Sequence, residues 1–117
     1  MNSQVTEFND YRSRMNERLL DGGSTMLKRI FSLDKQAYQE GELNVATKEL
    51  LGLVASAVLR CDDCVKYHLE NCFKEKLSKT AVMEALEIAT LVGGTNVIPH
   101  LRKAYEFWEA LESNSKS

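Results

Sequence analysis

The chain has 117 residues, of which 44% are hydrophobic and 27% charged. That balance excludes wholesale disorder and fits one globular domain spanning 1–117. Fifteen basic residues against seventeen acidic leave a formal charge of −2, which excludes a strongly basic nucleic-acid footprint. No apolar run nears the ~20 residues that a membrane span needs. Glu7, Asp10, Arg12, Arg14, Glu17 and Arg18 interrupt the first thirty residues, so no secretory leader is read there. The expected location is the cytoplasm, where thiols stay reduced unless they are redox-active.

One proline and six glycines are few breakers for a chain of this length, and the apolar spacing is helical almost throughout. The reading is an all-α fold of about six helices, with no strand alternation and no internal repeat. The first helix is predicted over about Thr6–Leu20, with Phe8, Tyr11, Met15 and Leu19 as its apolar stripe, and Asp21-Gly22-Gly23 ends it. The second is predicted over about Ser24–Glu40, its stripe being Leu27, Ile30, Phe31, Ala37 and Tyr38, and Gly41 stops it. The third follows Asn44, a good N-cap, and runs to about Leu59. It is apolar almost all round, which predicts a central helix or a subunit contact.

The fourth helix is predicted over about Asp62–Lys76. The fifth follows Ser78 or Thr80 and ends at Gly93-Gly94. The last covers about Asn96–Leu111, with Pro99 in its first turn. Tyr105, Phe107, Trp108 and Leu111 are expected in the core or in a subunit contact, and the polar tail 113–117 is expected to fray.

The run Arg60-Cys61-Asp62-Asp63-Cys64-Val65-Lys66-Tyr67-His68 is the chemically distinctive one. On a helix, positions 61, 64 and 68 return to one face, which lines up two thiols and an imidazole. Thiols at C-x-x-C spacing can close a small disulfide, and a thiolate is favoured at the positive end of a helix. His68, one turn beyond Cys64, can take a thiol proton. Asp62 and Asp63 work against this, since nearby negative charge disfavours a thiolate. Glu49 lies twelve residues before Cys61. In one unbroken helix the two would stand ~18 Å apart. A reversal near Arg60 would instead fold the third helix back along the fourth and bring Glu49 beside His68, which a carboxylate can orient.

Glu49 followed by Cys61-x-x-Cys64-x-x-x-His68, in a short all-α chain, resembles the carboxymuconolactone decarboxylase superfamily, and within it the AhpD-like alkylhydroperoxidase branch. The resemblance covers roughly Asn44–Leu111. It implies an AhpD-like helical domain assembled as homotrimers or homohexamers. It implies that Cys64 attacks a hydroperoxide, that Cys61 resolves the sulfenic acid as a disulfide, and that His68, oriented by Glu49, relays the proton. It also implies a dithiol reductant, a lipoyl-bearing protein in the best-known members, and calls for no cofactor, metal, nucleic acid or membrane. One departure stands out: AhpD has a histidine directly before its second cysteine, where this chain has Asp63.

Other readings of the same residues stay open. Cys61 and Cys64 could be structural thiols, as Cys72 is expected to be. Cys61, Cys64, His68 and Cys72 could be counted as zinc ligands, although four ligands along one helix close poorly on a tetrahedral ion. A thiol-independent decarboxylase acting on a small carboxylated lactone would use His68 or another polar group as acid or base. A non-enzymatic, redox-sensing helical module would form the disulfide without turnover. His100 is expected at the surface or in an interface.

Overall fold

Ser24, Asn44 and Ser78 each accept a hydrogen bond from the backbone N–H three residues on, and each opens a helix. The computed structural model describes residues 3–115 and contains six α-helices in that span. They are α1 (Ser3–Asp21), α2 (Thr25–Ala37), α3 (Val45–Val58), α4 (Asp62–Lys74), α5 (Lys79–Gly93) and α6 (Ile98–Ser115), with a 3-10 turn at Thr95–Val97 before the last. Among the described residues there is no strand, and no helix is long and apolar enough to cross a membrane.

The central place falls to α3. Its Leu53 and Ala57 are buried between α4 and α5, and α6 closes the other side of α4 with Ala104, Phe107 and Trp108. Trp108 meets Phe73 edge-on at 5.2 Å, and Phe107 meets Phe8 of α1 in the same way at 5.6 Å. The opposite stripe of α3, Leu51, Ala55 and Leu59, stays exposed, so the all-round apolar character of this helix is only partly used within one chain.

The α5–α6 corner needs glycine. Gly94 has φ 84°, and a Cβ on Gly93 would stand 2.6 Å from Cγ2 of Val97. The two glycines therefore end α5 and let Val97 seal the core.

Three expectations need correction. In α1 Val5 is buried and Phe8 and Met15 are partly covered, whereas Tyr11 and Leu19 are exposed. Helix α2 ends at Ala37 rather than Glu40 and buries none of its residues; Ile30 of its expected stripe faces solvent. Helix α6 continues through Ser113 to Ser115, so that part of the tail is helical, while 116 and 117 lie outside the described residues. Phe107, Trp108 and Leu111 lie in the core as expected, and Tyr105 is exposed on the single chain, its ring centre 4.3 Å from the Lys79 ammonium.

Candidate active site

The site begins at the turn between α3 and α4. Arg60 N–H donates to Ala57 O and Cys61 N–H to Ser56 O, both at 3.0 Å, with Arg60 at φ 59°. This is a Schellman end built without glycine, and the left-handed residue costs about 1 kcal/mol. Its effect is to reverse the chain within three residues. Cys61 becomes the N-cap of α4, and its Sγ accepts from Cys64 N–H at 3.3 Å. Cys61 and Cys64 are joined as a disulfide across a Cα separation of 5.3 Å. Cys64 is exposed, whereas Cys61 is half-buried.

Asp62, in the first turn of α4, fastens this corner to α6. Its carboxylate accepts from His100 Nδ1 at 2.7 Å and from Lys103 Nζ at 3.1 Å. His100 is thus not an idle surface residue. Partial burial by itself would raise the Asp62 carboxyl, but the hydrogen bonds from His100 and Lys103 outweigh it and hold the group below its ordinary value. A depressed folded-state pKa stabilises the protein above the unfolded value and loses that contribution as pH falls through the folded one. Asp62→Asn should therefore cost up to about 1 kcal/mol at neutral pH, solvent screening included, and cost progressively less below about pH 4. Urea melts of both proteins at pH 7 and pH 3 check this; an equal deficit at both values refutes it.

One turn after Cys64, His68 is 7% exposed and faces Glu49, which is 4% exposed. Nδ1 of His68 and Oε1 of Glu49 are 2.8 Å apart. The reversal at Arg60 lays α3 along α4 and brings together two residues nineteen apart in sequence. A buried carboxylate needs such a partner.

Sequence reasoning missed two members of this cluster. Tyr38, the C-cap of α2, brings its hydroxyl to 3.4 Å from Nε2 of His68. Gly52 of α3 makes room for both: a Cβ there would stand 2.6 Å from His68 Cε1 and 2.6 Å from the Tyr38 hydroxyl. A glycine inside an otherwise apolar helix was the available signal for the second. Tyr38 belongs to the expected apolar stripe of α2, and no spacing in that stripe shows its hydroxyl reaching His68.

Cys64 and His68 open together into a pocket of about 230 Å³, also lined by Arg12, Asp34, Asp63 and Tyr67. The Arg12 guanidinium lies 4.2 Å from the centre of the Tyr67 ring. A neighbouring cleft of about 450 Å³ shares Arg12, Asp34 and Tyr67 and adds Ile30 and Phe31, so the thiol corner adjoins an amphipathic approach. A larger cleft, about 790 Å³, runs along α5 and α6 past Lys79 and Tyr105, and its lining contains no thiol and no histidine. Cys72 is a free thiol buried in the core, and burial above all, with Glu49 and Glu75 adding to it, pushes it up to about 12. Among the described residues, no three His, Cys, Asp or Glu are grouped so as to hold a metal ion.

The chain is similar to known proteins in both sequence and fold. The model of the carboxymuconolactone decarboxylase family matches residues 25–107, which takes in α2 as well as the motif-bearing helices. A solved chain from Thermotoga maritima superposes with a TM-score of 0.92 at 51% identity, over 94% of this chain and 96% of that one. A second structure, described as a Thermotoga maritima protein of the same family and tied there, as a possibility, to the antioxidative response, gives a TM-score of 0.90 at 50% identity over 94% and 93% of the two chains. A family protein from Legionella pneumophila, 19% identical, shares the fold with a TM-score of 0.85 over 93% of this chain and 97% of its own. An uncharacterized protein of Cupriavidus necator is 30% identical over 79 residues, covering 68% of this chain and 70% of that protein. With its helical frame, its Cys61–Cys64 pair and a family match over most of its length, the chain belongs to the carboxymuconolactone decarboxylase family.

Proposed function

We propose that the protein is a thiol-dependent peroxidase of the alkylhydroperoxidase type. The observation that carries this reading is the Cys61–Cys64 disulfide at the start of α4, with Cys64 sharing a pocket with a histidine paired to a buried glutamate. The likeness to a Thermotoga protein tied, as a possibility, to the antioxidative response supports it.

In the reduced protein, His68 takes the Cys64 proton and Glu49 holds the resulting imidazolium. The Cys64 thiolate attacks a peroxide oxygen. The S–O bond forms as the O–O bond breaks, and the departing alkoxide receives the proton from His68. Cys61 then attacks the sulfenic acid, releasing water and closing the disulfide. A dithiol opens the bridge by exchange, and a lipoyl-bearing protein is a reductant of the right chemistry. The exposed apolar side chains of Leu51, Leu59, Leu91 and Val92 suit assembly into a homotrimer or homohexamer. The reducing cytoplasm is where such a cycle would be recharged.

The test uses fully reduced, metal-free protein and one equivalent of an organic hydroperoxide, read by intact mass and peptide mapping. Rapid loss of two hydrogens, mapped to Cys61–Cys64, is the expected result. An unchanged mass over many minutes would overturn the reading and turn attention to thiol-independent chemistry on a small carboxylated lactone.

A further inference from the structure

Resting on that reading of the site, we propose that Tyr38 is its positioning residue. The Tyr38 hydroxyl donates to Nε2 of His68, the nitrogen that Glu49 leaves free of hydrogen while the disulfide is closed, and yields it to the Cys64 proton when the thiols are reduced.

The assignment follows from what each ring nitrogen faces. Nδ1 is 2.8 Å from Oε1 of Glu49, and an ionised carboxylate can only accept, so Nδ1 carries the hydrogen. In a neutral ring, Nε2 is then a lone pair. Its recorded partner is the Tyr38 hydroxyl, at 3.4 Å. Burial first, and then the charges of Glu49 and Asp34 and the nearby Tyr67, raise the phenol above its ordinary value, so Tyr38 stays a donor rather than becoming a phenolate.

Three residues in one stretch of α3 arrange this contact. Lys48 Nζ donates to Ala37 O at 2.9 Å and to Gln39 O at 2.6 Å, which clamps the backbone on both sides of Tyr38. Glu49 fixes the far side of the imidazole. Gly52 leaves the space in which the phenol and the ring meet. A clamp on both flanking carbonyls also answers the open end of the α2 dipole, so Tyr38 is held at a helix end that otherwise buries nothing.

A hydroxyl suits both stages of the cycle. It donates to the neutral ring, and after a rotation about its C–O bond the same oxygen accepts from Nε2–H of the imidazolium. The proton moves from Cys64 Sγ to Nε2 and later from Nε2 to the alkoxide, while the phenol keeps its own. A contact as long as 3.4 Å is weak enough to be exchanged on each turnover.

The test is nitrogen NMR of histidine-labelled, oxidised protein. The chain holds two histidines, so His100→Gln isolates the His68 signals. The expected pattern is a protonated Nδ1 and a bare, hydrogen-bonded Nε2. In Tyr38→Phe, Nδ1 should stay protonated while the Nε2 resonance moves to the position of an unbonded ring nitrogen, with the melting temperature unchanged. The same variant, reduced, should be oxidised by an organic hydroperoxide about twofold more slowly, the low end of the range for one hydrogen bond. A hydrogen on Nε2 in the wild type, or an Nε2 resonance that ignores Tyr38→Phe, would overturn the proposal. If neither protein reacts with hydroperoxide but the Nε2 resonance responds to Tyr38→Phe, the positioning role stands and the peroxidase reading falls.

Discussion

Cys64→Ser should reduce hydroperoxide consumption by at least about 10⁴-fold, the scale of loss when a nucleophile is deleted. Cys61→Ser should leave the first oxidation intact and stop the cycle afterwards. The difference rests on where α4 begins. Cys64 is exposed and lines the pocket with His68, while Cys61 is the half-buried N-cap whose sulfur already accepts the Cys64 N–H. The sulfur that meets the peroxide should be the accessible one beside the imidazole. Reduced Cys61→Ser protein should therefore gain one oxygen atom on Cys64, trappable by a sulfenic-acid reagent, and then stop. Reduced Cys64→Ser protein should gain none. Intact mass after one equivalent of hydroperoxide separates the two. Oxidation of Cys61 in the Cys64→Ser variant would reverse the two roles, and turnover by a protein lacking both thiols would end the thiol mechanism. Each variant should melt like the reduced wild type, since neither sulfur fills the core.

The helices were legible because their ends carry local chemistry. Asn44 and Ser78 cap α3 and α5 through side-chain oxygens that need no tertiary partner. The approach of Glu49 to His68 was legible for a related reason. Once the chain turns back at Arg60, helix geometry alone decides which residues face each other, and the two are only nineteen apart.

What escaped depends on contacts that no period encodes. Tyr38 reaches His68 across thirty residues and a loop, and its position is set by the Lys48 clamp rather than by the phase of α2. The same limit applies to His100, which meets Asp62 from thirty-eight residues away. Apolar spacing failed in a different way in α1 and α2. It places Tyr11, Leu19 and Ile30 on apolar stripes, yet a stripe records only that a face is apolar, not that anything in the same chain covers it.

Gly52→Ala offers the sharpest test of the packed site, because two rules give opposite signs. In a helix interior, glycine to alanine ordinarily stabilises by up to about 1 kcal/mol. Here the added methyl would stand 2.6 Å from His68 Cε1, 2.8 Å from Nε2 and 2.6 Å from the Tyr38 hydroxyl. The phenol can swing aside. The imidazole cannot easily follow, since it is buried and bonded to Glu49 at 2.8 Å. Overpacking costs about 1–3 kcal/mol, enough to cancel the propensity gain and reverse it. The variant should therefore be less stable than the wild type in urea melts. Its oxidation by hydroperoxide should slow by about 10²-fold, the usual result of displacing a reacting group by about 1 Å. Gly41→Ala is the matched control, because its nearest neighbour is the flexible Lys48 Nζ at 3.6 Å, an ordinary contact, and it should leave the oxidation rate unchanged. A Gly52→Ala protein that is both more stable and fully reactive would mean that His68 can move without consequence, and then the chain from Glu49 through His68 to Cys64 is not the one that handles the proton.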